Sequence, residues 1–236
     1  MVEEKDETII EHLEALRAVL IKSLLSLAIG LVPIFCVTPY FINILIRIMM
    51  GENNVQLNFF SPMEVFILQI KTALVLDILV CFPYIAKQVW NFVLPALYEY
   101  ERNFVKSIVL ISSLLFIIGV LFCLFFILPS VIRFGLSFVT DSIRPVLGIN
   151  NIISLALWLS FIFGMMFQFP LITYALIRSD IVSYETIKSK RSYIFVGVLI
   201  LSGLLTPPDV ISQLMLTLPT YGLFEIGLIL GKKTKK

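Results

Sequence analysis

Glu99, Glu101 and Arg102 stand close together in "PALYEYERN", residues 95–103, a polar and aromatic stretch between two long apolar runs. Carboxylates in such a place accept charge-assisted hydrogen bonds, the chemistry by which a guanidinium is held in a planar, two-pronged grip. A second acidic group lies near the N-terminus, where "TIIEHLEALR" carries Glu11 and Glu14 three residues apart and closes on Arg17. Thr8 and Glu11 have capping-box spacing, which predicts that a helix starts there. Ile9, Leu13, Leu16 and Leu20 then share one face and the two carboxylates lie on another. Further in, Asp77, Gln168, Gln213 and Glu225 interrupt apolar runs. Polar groups at that depth are costly and face protein, water or a partner.

Other chemistries are missing. The chain has one histidine and 3 cysteines, and contains no HExxH, no G-x-S-x-G and no phosphate-binding loop. His12 reads as a solvated helix position, and Cys36, Cys81 and Cys123 read as small apolar core residues. This pattern calls for no enzyme, no metal and no cofactor. An aspartyl intramembrane protease would need two Asp at matching depth, and Asp77 alone lies well inside an apolar block.

The elements that must position these groups follow from composition. The 236 residues are 59% hydrophobic with 20 Phe, and the mean hydropathy is +0.99. That is far from a soluble domain's roughly half-apolar mix. A hydrocarbon core of roughly 30 Å takes about 20 apolar residues per helix. Six apolar blocks emerge: Ser23–Ile46, Val65–Ala86, Ser107–Ile132, Ile153–Ile177, Tyr193–Leu205 and Val210–Leu230. They lack the ten-residue alternation of a barrel, so the expected fold is an all-α membrane protein of six spans in one domain, residues 1–236. The acidic leader "EEKDE" does not fit a cleaved signal peptide.

Of the 18 Lys and Arg, all but Arg47, Arg133, Arg144 and the mid-block Lys71 fall on one side of such a topology. That side is cytoplasmic and holds both termini. The tail "KKTKK" is then a topology anchor that meets anionic lipid, with no call for a nucleic-acid partner. The fifth block, "YIFVGVLILSGLL", is short at about 20 Å, and the fifth and sixth helices are expected to be short. Pro207 and Pro208 turn the chain between them. Full spans in a locally thinned bilayer are favoured over a re-entrant hairpin.

Five stretches in order, "HLEALR", "FFSPMEVF", "QVWNFVLPALYEYER", "FGMMFQFP" and "LLTPPDVISQ", resemble the TatC family, the polytopic core of the twin-arginine protein export system. Each alone is weak, whereas the ordered set is specific and covers essentially the whole chain. The resemblance implies a receptor in the bacterial inner membrane or a thylakoid membrane, with a concave cavity. It would bind signal peptides carrying two adjacent arginines and work, as a homo-oligomer, with TatA- and TatB-type single-span partners. It places Glu101, with Arg102 and Arg17 from the same motifs, in the cytoplasmic signal-peptide site. The family's other carboxylate falls on Ala15, a departure that leaves Glu14 and Glu11 as the candidates to replace it.

Glu14 is next in sequence but about 100° round the helix, whereas Glu11 is one turn away and about 40° off. Trp90, Tyr98 and Tyr100 are read as holding the loop at headgroup level, with Pro83 and Pro95 breaking the helix around it. On the far side, Phe60, Pro62 and Glu64 precede the second span, where Pro62 suits a helix start and Glu64 its first turn. Asp209 is placed to cap the sixth helix. Two readings of Gln168 are open: an interhelical bond within the chain, or a cavity position that receives a TatA-type helix. A polytopic small-solute transporter is the alternative function, though no inverted repeat with paired broken helices is visible.

Overall fold

The computed structural model describes residues 3–50, 57–93, 102–137, 147–178, 181–205 and 210–234. All six apolar blocks are helical. α1 runs from Glu3 to Met50, α2 from Pro62 to Val93 and α3 from Arg102 to Phe122. A π-helical turn, Cys123–Ile127, joins α3 to α4, Leu128–Leu136. α5, Ile149–Met166, and α6, Phe169–Arg178, form one interrupted span. The short α7, Tyr184–Ser189, leads into α8, Arg191–Leu205, and α9, Val210–Thr234. Two-residue strands, β1 (Leu57–Asn58) and β2 (Leu147–Gly148), pair in parallel and tie the approach to α2 to the approach to α5.

Among the described residues, five helical units are long and apolar enough to cross a membrane, and Arg191–Leu204 is a shorter apolar helix. The fourth span is the centre: Ile153, Ala156 and Phe163 of α5 are fully buried. α1 is the periphery, packed mainly along α2, with Leu24, Ile29 and Val32 more than 60% exposed. In a bilayer that exposure is solvation, because lipid is the solvent for an apolar side chain.

Several expectations are corrected. α1 begins five residues before Thr8, so Thr8 lies inside the helix and does not cap it; the acidic helix and the first span are one continuous rod of about 72 Å. The fifth helix is short, at 15 residues. The sixth is not, because its 25 residues continue through Pro219 and past the apolar stretch into the basic tail. Pro83 sits in the middle of α2 without ending it. Its neighbour Phe82 stacks on Phe116 of α3 at 3.6 Å between ring centroids, which holds the backbone in place. Cys123 is buried as expected, but Cys36 faces outward.

Helices without a hydrophobic drive between them pack through small residues. Gly227 and Gly231 of α9 face α6 in this way. A Cβ at Gly227 would lie 2.6 Å from the Pro170 carbonyl oxygen, and one at Gly231 2.6 Å from Ile177. Gly227→Ala is therefore expected to destabilise the fold by about 1–3 kcal/mol through overpacking. Gly222→Ala, with nothing within 4 Å, is the neutral control. Thermal unfolding of the two variants in detergent checks this.

Candidate functional site

The fourth span breaks because of "QFP". Pro170 has no N–H to give to Met166 and its ring crowds that carbonyl. The chain tightens instead: the Gln168 N–H donates to Met165 at 3.0 Å, and the helix restarts with Leu171 and Ile172 N–H groups on the Gln168 carbonyl. The break turns the Gln168 side chain toward α3. There Ser112 Oγ donates to Gln168 Oε1 at 2.7 Å, and Gln168 Nε2 donates to the Ser112 carbonyl at 3.1 Å and to the Gly164 carbonyl at 3.5 Å. The Ser112 carbonyl can only accept, which fixes which end of the amide faces it. Both amide hydrogens are used, and one Oε1 lone pair remains.

This pair lies in the wall of a cavity of about 530 Å³ between α2, α3, α5 and α6. Ile78, Phe82, Trp90, Phe161 and Met165 make the rest of the lining apolar. Of the two open readings, the intrachain bond is present, and Gln168 also lines a membrane-depth cavity. Trp90 is buried in one cluster with Ile108 and Leu171 and lines the cavity.

The other residues expected at the cavity occupy different places. Pro62 opens α2, and Glu64 Oε2 accepts from the Phe60 N–H at 2.8 Å, a capping role. The Phe60 ring lies against Gly148, whose Cβ position would be 3.1 Å from it. Lys71, seven residues on from Glu64, reaches Asn150 of α5 at 3.4 Å. Gln213 joins α9 to α8, its Nε2 donating to the Leu199 carbonyl at 3.0 Å. Glu225 pairs with Arg191 at 2.9 Å and accepts from Tyr221 at 2.9 Å. Asp77 is buried against Gly30 of α1 and takes a bond from Cys81 at 3.4 Å.

On the opposite end, Glu11, Glu14, Ala15 and Arg17 are all exposed on the first turns of α1. The unbroken helix keeps Glu11 and Ala15 on adjacent stripes. Glu101 and Asp209 lie outside the described residues, as do Pro95, Tyr98 and Tyr100, and of Arg102 the backbone alone is described, at the first position of α3. Among the described residues no group of three His, Cys, Asp or Glu converges as a metal site would require.

Sequence reasoning missed Ser112 and Arg191 as partners. The adjacent pair Ser112–Ser113 in an apolar run was the visible signal for the first. For the second, a basic residue just before the fifth block and a carboxylate in the sixth were both visible, but their pairing depends on how two helices lean.

The family model for the Sec-independent protein translocase protein TatC matches residues 11–219. The TatC protein of Carboxydothermus hydrogenoformans is 36% identical over 235 residues, covering 99% of this chain and 96% of that one. The TatC protein of Escherichia coli K12 is 33% identical over 238 residues, covering 97% and 90%. A crystal structure of the twin-arginine translocase receptor TatC superposes with a TM-score of 0.86 at 32% identity, over 95% of this chain and all of that one. A likeness that runs end to end in both sequence and fold, through the broken fourth span and the short fifth helix alike, has one meaning: this chain belongs to the TatC family.

Proposed function

We propose that the protein is the signal-peptide receptor and core subunit of a twin-arginine translocase, moving folded proteins across the bacterial inner membrane. The observation that carries this is the end-to-end likeness to the translocase receptor. The chain acts as one domain, with both termini in the cytoplasm, where 14 of its 18 Lys and Arg collect. It is a receptor and not an enzyme. It works in oligomers with single-span partners of the TatA and TatB type.

The signal peptide is read at the cytoplasmic face by Glu101, by one or both of Glu11 and Glu14, and by Arg17 and Arg102, which orient the carboxylates. Each arginine of the signal offers five donors in a rigid fork, whereas lysine presents a point charge. Gln168 in its cavity serves a later step, the entry of a TatA-type helix. Asp209, Gln213, Phe60, Pro62 and Glu64 shape the extracytoplasmic end that this helix meets.

Co-purification tests the reading. The tagged protein in mild detergent should retain a precursor whose signal carries two arginines and release one in which both are lysine, although net charge is unchanged. A TatB-type protein should come with it. Equal retention of both precursors would overturn the receptor assignment, and retention of neither precursor nor partner would favour a small-solute transporter.

A further inference from the structure

Lys71 carries a charge inside the second span, where an ammonium group is costly unless it meets a counter-charge or water. Its side chain is exposed, and Nζ donates to Asn150 Oδ1 at 3.4 Å, an oxygen that also accepts from Ser154 Oγ at 3.3 Å. That uses one of three ammonium donors and neutralises nothing. Glu64, on the same face of α2, is engaged with the Phe60 N–H, and Asp77 is turned to Gly30 of α1. Among the described residues Lys71 therefore meets no carboxylate.

The place of Lys71 on α2 gives the direction from which a counter-charge must come. Ile78, Phe82, Ile85 and Val89 line the cavity beside Gln168, and each falls within about 40° of Lys71 round the helix. On the facing wall, Asn150, Ser154 and Trp158 run down α5 to Phe161 and Met165 of the same cavity, all within about 80°. Trp158 is 51% exposed and stacks on Phe161 with ring centroids 6.3 Å apart. The cavity thus continues as one face between α2 and α5, crossed at its extracytoplasmic end by the bond from Lys71 to Asn150. From Lys71 to Val93, which ends the lining on α2, the distance is about 33 Å. That matches a hydrocarbon core of roughly 30 Å, the length of a whole span and not of one leaflet. We infer that this face takes a single-span helix that carries a carboxylate at its extracytoplasmic end, paired with Lys71. The inference rests on the reading of the cavity as the entry point of a TatA-type helix and adds the charge that fixes the direction and depth of that helix. A signal peptide entering with its arginines at the cytoplasmic face brings no such acid and leaves Lys71 unmatched.

Synthetic peptides test the pairing without any translocase component. Three spans of about 20 leucine and alanine residues, alike except for aspartate, asparagine or lysine at one end, are placed with the full chain in phosphatidylcholine vesicles. A photo-crosslinker at position 74, exposed on α2 between Lys71 and Ile78, reads capture. Wild type should capture the aspartate peptide roughly fivefold better than the asparagine peptide, the gain of a charge-assisted bond over a neutral one. Lys71→Met keeps the length of the side chain and should capture the two equally. Lys71→Glu should invert the order and take the lysine peptide above the aspartate one, which loss of a merely structural lysine would not do. Equal capture of the aspartate and asparagine peptides by wild type, or a preference that survives Lys71→Met, would overturn the inference. So would a crosslink to lipid, or to a second copy of the chain, in place of every peptide. A chain that retains a twin-arginine precursor but shows no acid preference sinks this pairing alone, whereas one that fails to retain the precursor and keeps the preference sinks the receptor reading alone.

Discussion

Glu101→Ala is expected to abolish crosslinking of a twin-arginine signal peptide while the protein stays inserted and abundant. A charge-assisted hydrogen bond contributes roughly 1.5–3 kcal/mol, so losing one arginine's carboxylate should weaken binding by roughly ten- to a hundredfold. Removing the carboxylate also leaves an arginine of the signal without its planar partner, so the remaining contact cannot compensate. Glu101→Gln separates the causes: it keeps the size and one acceptor and loses the charge, and should fall with Glu101→Ala if the guanidinium fork is what matters. The measurement is crosslinking yield per inserted molecule, with membrane abundance as the control. Binding by Glu101→Ala as tight as wild type would remove Glu101 from the site.

The N-terminal half of that site has a geometric constraint of its own. α1 is helical without a break from Glu3 to Met50, so angular positions carry through from the first turn. Glu11 and Ala15 are then about 40° apart on the helix surface and Glu14 is about 100° from Ala15. All three are exposed, so a carboxylate here meets a ligand without first leaving a partner. Measured beside Glu101→Ala, Glu11→Ala and Glu14→Ala identify which one takes the place of the acid absent at Ala15.

The long-range pattern of the fold was legible because it rests on composition: lipid allows helices, and breaks in hydropathy mark where they leave it. What depends on the pull between neighbouring helices was not. Pro83 and Pro170 look alike in sequence, yet α2 runs through the first while the fourth span breaks at the second. Beside Pro83 the stacked Phe82 and Phe116 rings hold the helix straight; before Pro170 the Gln168 amide is drawn to α3 and stabilises the tightened turn. Gln168 itself stood out as a lone amide in an apolar run. Its partner Ser112, 56 residues away, could not be read off, because pairing across helices depends on rotation and tilt and not on periodicity. The packing of Trp90 was hidden for the same reason: its place near the end of α2 suits an aromatic at a membrane boundary, but its burial with residues of α3 and α6 could not be read from periodicity.

Gln168→Leu is expected to leave signal-peptide binding intact and to depress export severely. The substitution removes the bonds to Ser112, worth roughly 0.6–2 kcal/mol apiece in a membrane, which is too little to unfold a chain with this much packed apolar surface. Ser112 is not stranded, because a helical serine can turn its hydroxyl back to the carbonyl four residues earlier, as Ser113 does to Val109 at 2.8 Å. What leucine cannot restore is a polar group in the wall of the cavity. With the intrachain bonds made, Gln168 keeps one acceptor position on Oε1, enough to receive one donor from a partner helix; a neutral carboxylic acid also keeps an acceptor and a donor, so Gln168→Glu should retain most export. Ser112→Ala decides between the roles. If the amide serves only to tie α6 to α3, Ser112→Ala, which removes the hydroxyl bond and keeps the bond to the Ser112 main-chain carbonyl, must reproduce a clear part of the export defect of Gln168→Leu. If the cavity receives a TatA-type helix, Ser112→Ala frees a second acceptor position on Gln168 Oε1 for a donor of that helix and leaves export close to wild type. Full export by Gln168→Leu would show that the group serves neither purpose.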